Sequence, residues 1–174
     1  DTLYYHVGAA GNKDYGWIAG GQDPGHPSGT TEIHRIDYAN DLVLAAVRGP
    51  LSLVRFEGAA SGNPAYGWFA GGSGKTTVDR VDYSNDTPTA SPRGPLLAPN
   101  GSFTATGNDD YGYYSGGNYN TKIDRIDYSS DTTIVAKGNL SEGRVGSAGG
   151  SNNSSHGYMG GGTAPGPYSP SPGS

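Results

Sequence analysis

The chain has 174 residues, a net charge of −5 and no cysteine, and its Lys and Arg are scattered rather than clustered. That balance argues against a nucleic-acid footprint or an anionic membrane partner, and no apolar run reaches the length of a membrane span. Disulfide and thiolate chemistry are excluded, while the redox compartment stays open.

Gly at 31 and Pro at 12, with only 33% hydrophobic residues, lean toward low complexity. Two features outweigh this. Thirteen Tyr and two Trp supply large apolar area from few positions, and the glycines return at fixed places. The expectation is an all-β, strand-and-turn protein. Asp1 opens the chain without Met or a signal-like run, as expected of a processed chain or a piece of something longer.

In chain order, YGWIAGG (Tyr15–Gly21) and HRIDY (His34–Tyr38) come first, then YGWFAGG (Tyr66–Gly72) with DRVDY (Asp79–Tyr83). YGYYSGG (Tyr111–Gly117) with DRIDY (Asp124–Tyr128) follows, and a partial copy reads HGYMGGG at His156–Gly162. The leading ring falls at Tyr15, Tyr66, Tyr111 and His156, a step of 45 residues after a first step lengthened by QDPGHPSGTT. RGPLS at Arg48 returns as RGPLL at Arg93 and as KGNLS at Lys137, and GN recurs at Gly11, Gly62 and Gly107. A period of roughly 40–50 residues marks a repeat architecture.

Each repeat reads as four strand-length pieces divided by turn residues. In the second they are 52–60 (SLVRFEGAA), 66–72 (YGWFAGG), 76–83 (TTVDRVDY) and 87–92 (TPTASP). Period-2 alternation in 76–83 puts Asp79, Val81 and Tyr83 on one face and Val78, Arg80 and Asp82 on the other. Both faces carry apolar residues, as in a strand sandwiched between neighbouring sheets. The first repeat's opening strand is expected at 3–9, and a fourth, partial repeat supplies strands at 144–149 and 157–162. The glycine pairs Gly20–Gly21, Gly71–Gly72 and Gly116–Gly117 end a strand where a side chain would obstruct a bend.

Four short antiparallel strands every 45 residues describe a propeller blade. The order WFAGG, VDRVDYSND, SPRGP resembles the kelch repeat, in which an apolar strand ends in Gly-Gly, the next ends in a Tyr-bearing turn near Asp, and an Arg follows the fourth. The Trp expected after that Tyr is absent; Leu42, Thr87 and Thr132 stand there. The YGYxxGG…DRIDYSNDT…RGPLS wording is similar to repeats in virion proteins of marine tailed phages. The resemblance implies a kelch-like β-propeller portion. It has three complete blades (about 1–50, 51–96 and 97–141), a partial fourth over 142–162, and a Pro/Gly/Ser-rich tail over 163–174. A half blade leaves an unpaired edge, so a longer chain or a partner is expected to complete or cap it. A β-trefoil competes, but the fourth Gly-Gly copy speaks against three-fold closure.

No catalytic constellation emerges. AGGSGKTT (Ala70–Thr77) lacks the first glycine of a phosphate loop, since Phe69 stands there, and no helix follows. Asp41, Asp86 and Asp131 could contribute to an oxygen-rich cation loop, yet Asp in a turn is explained by its own backbone. His6, His26, His34 and His156 share no metal-ligand spacing. No nucleophile elbow, sialidase-type Ser-x-Asp-x-Gly-x-Thr-Trp box or Tyr-linked cysteine is present. Sequons at Asn85, Asn100, Asn139, Asn152 and Asn153 matter only in a glycosylating secretory pathway.

Arg35, Arg80 and Arg125, each two residues before Asp37, Asp82 or Asp127, read as partly buried Arg–Asp pairs between blades. The loop from strand two to three and the link to the next blade should emerge on one face. That face would display Asp23, His26, Lys75, Asn118, Tyr119 and Asn120 beside Arg48, Arg93 and Lys137, as a surface for a ligand. The resulting expectation is a non-enzymatic module without metal or cofactor, at a virion or other extracellular surface. It would contact protein subunits, with surface glycans as a further partner; the alternative is a bacterial adhesion or carbohydrate-binding propeller.

Overall fold

The computed structural model describes residues 5–146, 148–152 and 155–164. Among them there is no helix, and the strands form three four-stranded antiparallel sheets, each a simple meander. The first contains β1 (Gly8–Gly11), β2 (Tyr15–Ala19), β3 (Ile33–Asp37) and β4 (Ala46–Val47). The second contains β5 (Ala59–Gly62), β6 (Tyr66–Ala70), β7 (Val78–Asp82) and β8 (Ser91–Arg93). The third contains β9 (Thr104–Gly107), β10 (Tyr111–Ser115), β11 (Asn120–Asp127) and β12 (Ile134–Arg144). A two-stranded sheet of β13 (Ala148–Asn152) and β14 (Gly157–Gly160) follows.

Register repeats with the sequence. Trp17 lies opposite Arg35, Trp68 opposite Arg80 and Tyr113 opposite Arg125, while Tyr15, Tyr66 and Tyr111 lie opposite Asp37, Asp82 and Asp127. Each second strand ends in a Gly-Gly pair with both φ values positive, from Gly20 at 71° and Gly21 at 91° to Gly161 at 75° and Gly162 at 79°. Two consecutive left-handed residues turn the chain out of the sheet, a conformation only glycine adopts without strain.

The first strands lie side by side, β1 against β5, β5 against β9 and β9 against β13, so the sheets stack through their inner edges. Two cores fill the stack. Trp17, Ile33, Leu51, Phe69, Val81 and Tyr83 pack between the first and second sheets. Trp68, Val78, Phe103, Tyr114, Ile126 and Tyr128 pack between the second and third. Strand β7, with Tyr83 directly after it, therefore gives Val81 and Tyr83 to one core and Val78 to the other, the two-faced burial its alternation predicts.

Opening strands fall later than expected: β5 starts at Ala59 rather than Ser52, and β1 starts at Gly8, with residues 5–7 of the expected strand left out of it and residues 3–4 outside the described residues. Residues 52–58 instead form an irregular link that carries buried Arg55. The strands themselves are GAAG, AASG and TATG. Small residues suit the crowded place where successive sheets converge: a Cβ on Gly150 of β13 would collide with the Ala105 carbonyl of β9.

Candidate functional site

The repeated chemistry of this chain sits at the junctions between sheets. On the face of β2 toward the second sheet, Trp17 stacks flat on Tyr83, with centroids 3.9 Å apart and planes 9° from parallel. Trp68 stacks on Tyr128 with the same distance and angle. Such pairs contribute about 0.5–1.5 kcal/mol beyond the area they bury. Three residues beyond each tyrosine is an aspartate, Asp86 or Asp131, only 6% and 5% exposed. The Asp86 carboxylate accepts the Trp17 indole N–H at 2.9 Å and Arg35 Nη1 at 3.1 Å, with Arg48 Nε 3.3 Å away. At the next junction Asp131 accepts the Trp68 indole N–H at 3.3 Å and Arg80 Nη1 at 2.8 Å, with Arg93 Nε 3.1 Å away. Each arginine of the third strand is also held over the leading ring of its own sheet, Arg35 over Tyr15 at 4.4 Å and Arg80 over Tyr66 at 4.5 Å. A buried carboxylate thus has its charge met by two guanidinium groups and a ring N–H, as burial requires.

The turn that carries each aspartate docks on the preceding Arg-Gly-Pro. Gly49 N donates to Asp86 O at 2.9 Å and Gly94 N to Asp131 O at 3.0 Å. A Cβ on Gly49 would collide with Pro88 O, and one on Gly94 with Thr132 O.

These partners correct the sequence expectation. The aspartates on the same strands, Asp37, Asp82 and Asp127, do not pair with the arginines between sheets. They cap their own turns, accepting from Ala39 N, from Ser84 N and Oγ, and from Ser129 N and Oγ. The Ser84 and Ser129 hydroxyls hold the Asp82 and Asp127 carboxyls below the usual range. Arg48 and Arg93 leave the proposed display face because their guanidinium groups turn to Asp86 and Asp131. The turn aspartates set aside as backbone formers are the acceptors between sheets, a role visible in the sequence only as an aspartate three residues after each DY.

Among the described residues, half a junction stands alone at each of the two ends of the stack. Tyr38 is 54% exposed and Asp41 is exposed, without an ion pair among the described residues. The turn that follows presents Leu42 and Leu44 at 96% and 95% exposure. At the other end Arg125 lies over Tyr111 at 4.2 Å but meets no carboxylate among the described residues, and Lys137 stands exposed in the place of Arg48 and Arg93.

A second polar cluster was not legible. Arg55 in the link donates Nη2 to Asp79 Oδ2 at 2.7 Å and Nη1 to the carbonyls of Phe69, Gly71 and Thr77. Ser52 N and Oγ complete the Asp79 carboxylate. Burial pushes the Arg55 guanidinium below its ordinary value, and Asp79 opposes that shift. The next repeat has Asn100 at this position, donating to Gly116 O at 2.8 Å. With no period behind Arg55, only its place in an apolar stretch hinted at burial.

The loops after the second strands do lie beside the inter-sheet links, with Thr30 bridged to Arg55 and Lys75 to Asn100. His26, Asn118 and Tyr119 are exposed there, whereas Lys75 and Asn120 are half-buried. Asp23 is not displayed: it is 2% exposed and accepts from Gly25 N and His26 N at 2.6 and 2.8 Å, with His26 Nδ1 3.0 Å away. Burial alone would raise the Asp23 carboxyl, but these bonds outweigh it and hold it below 3.8. Asn118 and Tyr119 have φ of 50° and 58° where the preceding repeat has Ser73 and Gly74 at 51° and 68°. A tyrosine thus occupies a left-handed turn position at 52% exposure. The inner strands surround a cavity of about 350 Å³ lined by Val7, Ala59, Phe103 and neighbouring small residues, with no carboxylate among the described residues. The chain matches no family model and no curated protein.

Proposed function

We propose that the chain is a non-enzymatic interaction module of kelch-like propeller blades, three complete and a fourth begun by β13 and β14, that works by assembling with other protein subunits. The observation that carries this reading is the junction itself, filled twice and, among the described residues, left open at each end of the stack. An exposed tyrosine, a carboxylate with no ion pair among the described residues and two bare leucines on one turn form a surface that contact with a partner would bury. The wording of the repeat adds the setting: a virion surface component such as a tail fibre, appendage or capsid decoration, touching neighbouring subunits and a host surface. Sedimentation of the purified chain tests the first part. A species heavier than the 17.8 kDa monomer is expected, reduced by a Leu42→Ser, Leu44→Ser double variant; a monomer at every concentration, with no partner recovered, overturns it. Neighbouring reading frames test the second, with tail or capsid structural proteins expected beside this one.

One observation favours a second reading, a carbohydrate-binding propeller. Tyr119 is an exposed ring held in a strained left-handed turn, a position where strain commonly serves a site. Glycan-array binding lost in both Tyr119→Ala and His26→Ala would support it, and binding indifferent to both would remove it.

A further inference from the structure

At the two filled junctions a tyrosine ring arrives from the third strand of the following sheet. It lies between the ring of the preceding second strand and a glycine of its own second strand. A Cβ on Gly67 would stand 2.6 Å from the Tyr83 hydroxyl, and one on Gly112 2.8 Å from that of Tyr128. The glycine is the space the ring needs. After β14 the same parts recur, and no described residue supplies the ring. Tyr113 takes the register position of Trp17 and Trp68, and Gly157 lies 45 residues beyond Gly112. Between them is a pocket of about 190 Å³ lined by Tyr113, Ile123, Asn108, His156, Gly157 and Met159.

Three further features of this edge lack their counterpart. Arg125 is poised over Tyr111 like its two equivalents, but its Nε is buried without a hydrogen-bond partner among the described residues. Lys137 is exposed, and a Cβ on Gly138 would meet nothing within 4 Å, whereas Gly49 and Gly94 lie under the turn of the next sheet. The outer edge of β14, where the complete sheets carry β3, β7 or β11, pairs with no described strand.

We infer that this edge is a docking site for a partner's β-hairpin carrying the repeat's own outer-strand chemistry: a strand ending in Tyr, followed three residues later by Asp. Such a hairpin satisfies the four vacancies together. Its strand pairs with β14, its ring fills the pocket against Tyr113, its carboxylate meets Arg125 and Lys137, and its turn covers Gly138. Recognition is strand addition with an aromatic anchor and a charge lock. A glycan or free phosphate would meet the cations but leave the β14 edge and the ring slot unused. This inference rests on the interaction-module reading and names the partner's chemistry.

The test is fluorescence anisotropy of a labelled peptide with the sequence of residues 121–136, TKIDRIDYSSDTTIVA, titrated with the full chain. Saturable one-to-one binding is expected. It should weaken at least tenfold when the peptide's Tyr or its second-turn Asp (Tyr128 or Asp131 in the chain) becomes Ala, and similarly with Arg125→Gln or the exposed Lys137→Glu in the chain. Asp41→Ala, at the opposite end, should leave it unchanged. Absence of binding overturns the proposal, as does binding insensitive to the peptide's Tyr and Asp, which would be unspecific edge pairing. Binding that emerges only after Tyr168→Ala assigns the slot to the chain's own tail, which lies outside the described residues. Binding that emerges only after Asp41→Lys assigns it to a second copy. Either result displaces the partner hairpin. A chain that assembles in solution yet ignores the peptide loses this inference and keeps the interaction reading; a monomer that ignores it loses both.

Discussion

Tyr83 and Tyr38 end the third strands of successive repeats and meet opposite surroundings. Tyr83 is buried against Trp17, and Tyr38 is half in solvent. Removing the Tyr83 ring leaves a cavity in the first core, so Tyr83→Ala should cost about 3–5 kcal/mol by urea unfolding. Tyr38→Ala should cost less than about 1 kcal/mol, because little of that ring is out of water. The Tyr83 hydroxyl is buried without a hydrogen-bond partner among the described residues, and burial pushes its pKa up. Tyr83→Phe should therefore match or exceed the parent in stability. A destabilised Phe variant would mean that the hydroxyl is satisfied in solution. Tyr119 answers to backbone rather than packing. Tyr119→Gly relieves the left-handed strain and should stabilise the chain by about 1 kcal/mol. Asp23 gives a pH dependence of definite sign. Its folded carboxyl lies below the ordinary 3.8, so it adds stability that is present above that value and lost as pH falls through the lower folded value. Asp23→Asn should flatten the acid limb of thermal stability below pH 4, and an unchanged limb would refute the assignment.

The junction as an element stands or falls with its carboxylate. Asp86→Asn leaves two guanidinium groups facing a neutral amide in a partly buried site, and should cost about 2–3 kcal/mol after allowing for the exposure of the arginines. Asp41→Asn, on an exposed aspartate with no ion pair among the described residues, should change nothing measurable. The same contrast applies to Gly49→Ala, which forces the Pro88 turn outward, and Gly138→Ala, which meets open space. About 1–3 kcal/mol should separate them. The sequence shows this element in part. The 45-residue spacing of the rings, the Gly-Gly pairs and the DY turns foretells three antiparallel sheets and the two-sided burial of β7, because those positions are fixed by repeated contacts between identical neighbours. It misplaces β5 because AASG has no apolar alternation to detect, while SLVRFEG, which does, forms an irregular link that buries Arg55 and leaves Leu53 and Val54 exposed. It also pairs Arg80 with Asp82, two residues away, when the partner is Asp131, 51 residues away. Alternation along one strand reports which face a side chain takes, and is silent about what the next sheet brings to that face.

For the whole molecule, stability is a chain of nearest-neighbour couplings, since each sheet touches chiefly the sheets beside it. The second sheet is covered on both faces, with Trp68, Ala70, Val78 and Asp79 fully buried between two cores. The first sheet is covered on one face and leaves Tyr38 and Val47 in solvent on the other. Opening the first sheet breaks one junction, whereas opening the second breaks both. Amides of β6 and β7 should therefore exchange at least tenfold more slowly than those of β2 and β3 under native conditions, when opening is local. Tyr83→Ala removes the anchor of the first junction while leaving the Trp68–Tyr128 stack intact. It should accelerate exchange in β2 and β3 far more than in β10 and β11, and broaden urea unfolding toward two steps. Equal acceleration across all three sheets would show one cooperative unit, in which the junctions do not act as separable couplings and an open junction at either end carries no special vulnerability.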